Sequence, residues 1–303
     1  MSTKNKLAEI CNNRPVIAID KMNATIAKVK DWAAIKANQE NEALLKQLFN
    51  LIDLTTLEGK DTEDKVQFLG EKALETTQLH ATLPSVAAIC VYPSLVAVAK
   101  KTVRTSTIRI ASVATGFPSG QIPLFLKVEE VKYAIEQGAD EIDMVISRGK
   151  FLADNYSEVY DEIAAIKAAC GDKTLKVILE TGELDTLENI RLASDIAIAA
   201  GADFIKTSTG KIPQGASLEA VYTMSQAIKS HFDETGKRVG IKPSGGISSV
   251  EVALHYFKLI ETELGEAWLN NTLFRFGASS LAGKVLQALT HDPSSGSYFN
   301  SSY

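Results

Sequence analysis

From Asn50 onward, short apolar runs alternate with stretches of helical spacing eight times over, and few folds accept that order. The runs fall at residues 51–54, 86–92, 108–113, 141–146, 175–179, 203–205, 239–242 and 273–276, each short enough for one strand. Between them, residues 62–76 carry Val66, Leu69 and Ala73 on one side. Residues 94–102, 156–169 and 281–289 read as further helices. Leu124, Val128, Val131 and Ile135 make another stripe, stopped at Gly138, and Asp185 with Glu188 has capping-box spacing at the start of the next helix. Parallel strands joined by helices close most economically as a (β/α)8 TIM barrel. An open doubly wound sheet would want a Gly-rich turn after its first strand, and Asp53-Leu54-Thr55-Thr56-Leu57 is not one.

The 303 residues exceed what the eight units need. Residues 1–49 contain helical spacing at 23–35 and 41–49 and no strand, so they read as an N-terminal helical extension that packs on the barrel or on a partner subunit. Residues 50–303 then form the barrel, with a mobile tail ending in Ser301, Ser302 and Tyr303. A net charge of −5 without a basic cluster argues against a nucleic-acid surface. The opening MSTKNKLAEI lacks the apolar core of a leader, and no run approaches the ~18 apolar residues of a membrane span. Three scattered cysteines, Cys11, Cys90 and Cys170, suit a reducing compartment. The expectation is a cytoplasmic protein with no membrane partner; an assembly of identical chains is left open.

In a barrel of this kind the functional groups gather at the C-terminal ends of the strands. Those ends carry Asp53, Thr55, Cys90, Asp143, Lys176, Glu180, Lys206, Thr209, Lys242 and Ser279. Lysine is costly inside an apolar strand unless it pairs or deprotonates, and a neutral, desolvated amine is a nucleophile toward aldehydes and ketones. A single such lysine would more simply snorkel off the strand end. Here Lys206 in GADFIKTSTGK and Lys242 in RVGIKPSGGI repeat the placement in consecutive strands, which favours chemistry. Glu141-Ile142-Asp143-Met144-Val145 alternates, so either its carboxylates or its apolar residues face the interior. A buried Asp143 beside two lysines would be ionised, serving either as a proton relay or as a plain ion-pair partner. Gly245-Gly246 and Ser279-Ser280 follow the seventh and eighth strands, where barrels commonly hold phosphate, and Gly210 and Lys211 could complete that clamp. His80, His231, His255 and His291 show no ligand spacing, so no metal is expected.

The stretches DLTTL (53–57), AAICVYP (87–93), GADEIDMV (138–145), LKVILETGEL (175–184), ADFIKTSTGK (202–211), GIKPSGGI (240–247), FRFGASSL (274–281) and the terminal SSY closely resemble the deoxyribose-phosphate aldolase family, class I aldolases on a (β/α)8 barrel. The resemblance runs from about Asn50 to Tyr303. It implies reversible cleavage of 2-deoxy-D-ribose 5-phosphate into D-glyceraldehyde 3-phosphate and acetaldehyde, in deoxyribonucleoside catabolism. By the same resemblance Lys206 forms the Schiff base, Lys242 tunes it, Asp143 relays protons, and Tyr303 helps move the proton at the nucleophilic carbon. Two features set the chain apart. Ser244 stands where alanine is more usual, and the ATGFPSG loop is similar to the longer, eukaryote-like branch. None of the stretches that carry the resemblance falls in the extension before Asn50, whose role it leaves open.

Overall fold

The computed structural model describes residues 3–12, 15–37, 41–79 and 82–300. Three helices precede the first strand: α1 (Thr3–Asn12), α2 (Ile19–Ala37) and α3 (Glu42–Asn50). The strands are β1 (Ile52–Thr55), β2 (Ala88–Val91), β3 (Arg109–Ala114), β4 (Glu141–Val145), β5 (Thr174–Ile178), β6 (Phe204–Lys206), β7 (Gly240–Lys242) and β8 (Phe276–Ala278). Between and after them run α4 (Glu63–Leu79), α5 (Val96–Val103), α6 (Leu124–Glu136), α7 (Arg148–Leu152), α8 (Tyr156–Cys170), α9 (Leu187–Ala199), α10 (Leu218–Thr235), α11 (Val250–Leu264) and α12 (Leu281–Thr290). All strand pairs are parallel, in the order β7-β6-β5-β4-β3-β2-β1-β8. Single bridges from Ile241 to Phe274 and from Ser244 to Gly277 bring β7 back to β8, so the sheet closes as a (β/α)8 barrel.

Strand residues that point outward, such as Ile52, Leu54, Ile89, Ile142, Val177, Ile205 and Ile241, are buried beneath the helix layer. This two-sided burial explains the near-continuous apolar runs of the sequence. Two boundaries and one helix face depart from the expectation. The eighth strand lies later than 273–276, because the backbone N–H groups of Leu273 and Phe274 both bond to the Asn270 carbonyl and spend the start of that run in a turn. Helix α9 is capped by Thr186, whose hydroxyl accepts from the Asn189 N–H; Asp185, the expected cap, sits one residue outside with φ of 64°. On α6 the buried positions are Lys127, Val131 and Ala134, displaced from the expected stripe. Lys127 is fully buried because Glu162 and Ser147 receive its ammonium at 2.9 and 2.6 Å.

The extension packs on the outer helix layer, α2 against α11 and α10, and α1 against α9. Met22, Ile26, Val29 and Ala33 form the buried stripe of α2, and the Lys258 ammonium lies 5.1 Å from the Trp32 ring. No helix among the described residues is long and apolar enough to cross a membrane.

Candidate functional site

The alternation of β4 resolves in favour of the carboxylates: Glu141 and Asp143 point into the barrel and are fully buried. There they meet Asp53 from β1, Lys176 from β5, Lys206 from β6, Lys242 from β7 and Arg275 from the turn before β8. Asp143 is the hub. One of its oxygens accepts from Lys176 at 2.8 Å, and the other accepts from both Lys206 and Lys242 at 2.8 Å each. Lys206 and Lys242 are direct neighbours in the β6–β7 register, which is why they can share one oxygen. Lys242 also donates to Asp53, Lys176 also pairs with Glu141, and Arg275 donates to both Asp53 and Glu141. Charged groups are tolerated at this depth because each has a partner of opposite sign.

These contacts separate the two lysines electrostatically. Burial pushes the Lys206 ammonium down; Asp143 opposes this, Lys242 reinforces it, and the net direction is below the ordinary lysine value. Burial acts on Lys242 in the same sense, but Asp143 and Asp53 together outweigh it and hold this lysine protonated. Burial would raise the Asp143 carboxyl, and Lys176, Lys206 and Lys242 overcome that and hold it well below the usual carboxylate range. Lys176 is held above its ordinary value by Asp143, Glu141 and Asp53 against the effect of burial. Cys90 is buried among Leu57, Ala88, Ala111 and Val113. Burial, with Asp143 adding to it, raises its thiol, so it sits as a protonated thiol beside the charged cluster.

Above the cluster opens a cleft of about 620 Å³. Of the residues expected at strand ends and in the turns beyond them, Thr55, Thr209, Gly210, Lys211, Gly245, Gly246, Ser279 and Ser280 all line it. Gly245 and Gly246 both adopt positive φ, 82° and 79°, a conformation that lets consecutive N–H groups turn toward a ligand and that glycine accepts without strain. Opposite them, Ser279 and Ser280 precede the first turn of α12, whose unpaired N–H groups favour an anion. Gly277 forms the floor. A Cβ there would collide with Ser244 Oγ and come within 3.2 Å of Lys242 Cε, so a glycine at this point lets the cleft approach the buried lysine. The loop bearing Thr209 is set by Glu180, itself in left-handed conformation, whose carboxylate accepts from the Thr209 backbone N–H at 3.2 Å and from its hydroxyl. Thr207 ties the neighbouring loop by exchanging hydrogen bonds with the Ser244 N–H and carbonyl.

Tyr303 and the rest of 301–303 lie outside the described residues, as does His80. Residues up to Asn300 are placed: Tyr298 donates to Glu75 at 2.8 Å, and Phe299 and Asn300 line the cleft. Sequence reasoning missed Arg275 and the cleft residues Glu58, Lys60 and Lys65. The alternation Phe274-Arg275-Phe276 was the available signal for Arg275, since one face of that run had to carry the charge. Nothing local marks Glu58, which reaches the site only through the fold.

The model of the DeoC/LacD family aldolases matches residues 48–275. The deoxyribose-phosphate aldolase of Homo sapiens is 40% identical over 297 residues, covering 94% of this chain and 91% of that one. That of Agrobacterium fabrum is 46% identical over 242 residues, covering 79% of this chain and 89% of the relative. Among solved structures, the tetrameric deoxyribose phosphate aldolase from Aeropyrum pernix superposes with a TM-score of 0.67 at 26% identity, over 86% of this chain and 97% of that one. With a family match across most of the barrel and relatives that share its full course, the chain belongs to the DeoC/LacD family of aldolases.

Proposed function

We propose that the protein cleaves 2-deoxy-D-ribose 5-phosphate reversibly through a Schiff base on Lys206. The observation that carries this reading is the asymmetry of the two lysines on Asp143: Lys206 has one carboxylate partner and a depressed affinity for its proton, while Lys242 has two and retains its own. The neutral Lys206 amine attacks carbon 1 of the open-chain aldehyde, water leaves, and an iminium forms. Asp143 takes the 3-hydroxyl proton through water and passes it on, because its lysines keep the carboxylate too acidic to hold it. The electrons of the bond between carbons 2 and 3 move into the iminium, D-glyceraldehyde 3-phosphate departs, and an enamine remains. Protonation of the enamine carbon, assisted by Tyr303, and hydrolysis release acetaldehyde and regenerate Lys206. Lys242 stabilises the charge changes at Lys206, while Asp53 and Lys176 hold Asp143 and Lys242 in place.

The phosphate rests on Lys211, the N–H groups around Gly245 and Gly246, and Ser279-Ser280, with Thr55, Thr209 and Gly210 facing the sugar. Binding energy gathered there holds the reacting carbons over Lys206. The reading needs no metal or organic cofactor. It extends to degradation of deoxyribonucleosides in the cytoplasm, to residues 1–49 as an appended element, and to an assembly of identical chains, the last supported by the tetrameric relative. Borohydride reduction in the presence of acetaldehyde, followed by peptide mapping, tests the chemistry. The adduct is expected on Lys206. An adduct on Lys242, or none with either acetaldehyde or the phosphosugar, overturns it.

A further inference from the structure

At the mouth of the cleft, Lys211 is already engaged. Its ammonium bonds the Glu58 carboxylate at 2.8 Å, and both residues line the cleft. The pair joins the loop after β1 to the loop after β6 across the opening. Glu58 is held in position by a tight turn, in which the Asp61 N–H donates to the Glu58 carbonyl at 2.9 Å and the Glu58 N–H donates to the Asp61 carboxylate at 2.8 Å. Thr56 and Lys65 also bond Asp61, so the turn is fixed from both sides. The Lys211 backbone is set by the Thr209 hydroxyl, which accepts its N–H at 3.1 Å. The glutamate side chain is 60% exposed and free to swing away, whereas Lys211 is only 25% exposed.

We infer that Glu58 is a placeholder for the substrate's phosphoryl group: it occupies Lys211 in the free enzyme, must be displaced when an oxyanion enters, and so sets how strongly the site prefers phosphorylated over non-phosphorylated aldehydes. This rests on the proposed phosphate site. The incoming dianion competes with the Glu58 carboxylate for the one Lys211 ammonium. Hydrogen bonding from Lys211 holds the Glu58 carboxyl below its ordinary value, so the placeholder is charged under all ordinary conditions. A mouth without it would bind phosphate more tightly but release D-glyceraldehyde 3-phosphate more slowly.

Glu58→Gln keeps the turn, since its backbone bonds are untouched, and removes the charge. The KM for 2-deoxyribose 5-phosphate is expected to fall about two- to five-fold, the range of a partly exposed ion pair. The ratio of the KM for 2-deoxyribose to that for its 5-phosphate should rise by the same factor. Sulfate binding, read by calorimetry on the whole protein, should tighten in parallel, and both effects should vanish when Lys211→Met is added. Equal changes in the two KM values, unchanged sulfate affinity, or a Glu58→Gln effect that survives in the Lys211→Met background would each overturn the inference. Sulfate binding decides the matter even where neither sugar is cleaved and no adduct forms on Lys206, a result that would instead refute the proposed reaction.

Discussion

Lys206 and Lys242 share one oxygen of Asp143, and the charge count around them fixes which one can be neutral. Three buried carboxylates, Asp53, Glu141 and Asp143, face four buried cations, Lys176, Lys206, Lys242 and Arg275, while the solvated Arg109 only reaches Glu141 at 3.4 Å from outside the cluster. Loss of one proton leaves the cluster neutral, and the lysine with the fewest carboxylates gives it up. Lys242→Met changes the count to three against three, so Lys206 becomes the cation that the carboxylates require. Borohydride trapping in that variant should therefore disappear near neutrality and return at higher pH, with the midpoint raised by about a unit or more. A trapping profile that stays where the parent's lies would refute the charge argument. Lys206→Met removes the surplus cation and should abolish trapping without lowering the melting temperature, because Asp143 keeps two lysines. The sign of the parent's pH dependence follows from the same shift. Lys206 binds its proton less tightly when folded, so the unfolded chain holds more protons between the folded value and the ordinary ~10.4. Stability from this group is lost as pH falls through the folded value, and Lys206→Met should flatten that part of the curve.

Elements show where local sequence is a sufficient guide and where it is not. Strand positions were legible because outward residues lie under helices and, Ser112 of β3 apart, are apolar, and the two strand-end lysines stood out against that background. Boundaries were less legible. The eighth strand begins late because Asn270 captures two backbone N–H groups, a turn that no alternation reveals. Lys127 broke the expected stripe of α6 because its partner Glu162 comes from α8, 35 residues on. At α9, the capping-box spacing pointed to Asp185, and the left-handed backbone at Asp185 leaves Thr186 to accept the Asn189 N–H at 3.1 Å. Thr186→Ala should cost about 1 kcal/mol in urea unfolding, while Asp185→Gly, which accepts the left-handed backbone without strain, loses no capping bond. A larger loss at Asp185 would mean that the acidic side chain, and not the threonine, secures the helix. Gly277 belongs to the same scale. A side chain in β8 at that point must displace Ser244 or Lys242, so Gly277→Ala should depress trapping even though alanine is better tolerated in a strand than glycine.

At the scale of the whole molecule, the polar residues at the strand ends were readable in the sequence, but the charge balance they form was not, because Arg275 and Glu141 meet only once the barrel closes. The N-terminal helices were equally opaque. Their apolar spacing announced a buried face without saying what it covers. The structure lays that face on the outer layer, α2 over α11 and α10, away from the barrel mouth, whereas α3 turns inward to the tail: Phe49 stacks 6.5 Å from Phe299, which lines the cleft. The two parts of the extension should therefore fail differently. Ile26, 5% exposed beneath α2, makes no contact with the cleft, so Ile26→Ala should lower stability by about 2–5 kcal/mol in urea and leave KM and kcat unchanged below the melting transition. Phe49→Ala removes the ring that Phe299 packs against, and should reduce stability and also raise KM, because the cleft wall at Phe299 loses its support. If Ile26→Ala altered KM while its urea midpoint held, α2 would be acting on the cleft and its role as a clamp on the outer helices would be wrong.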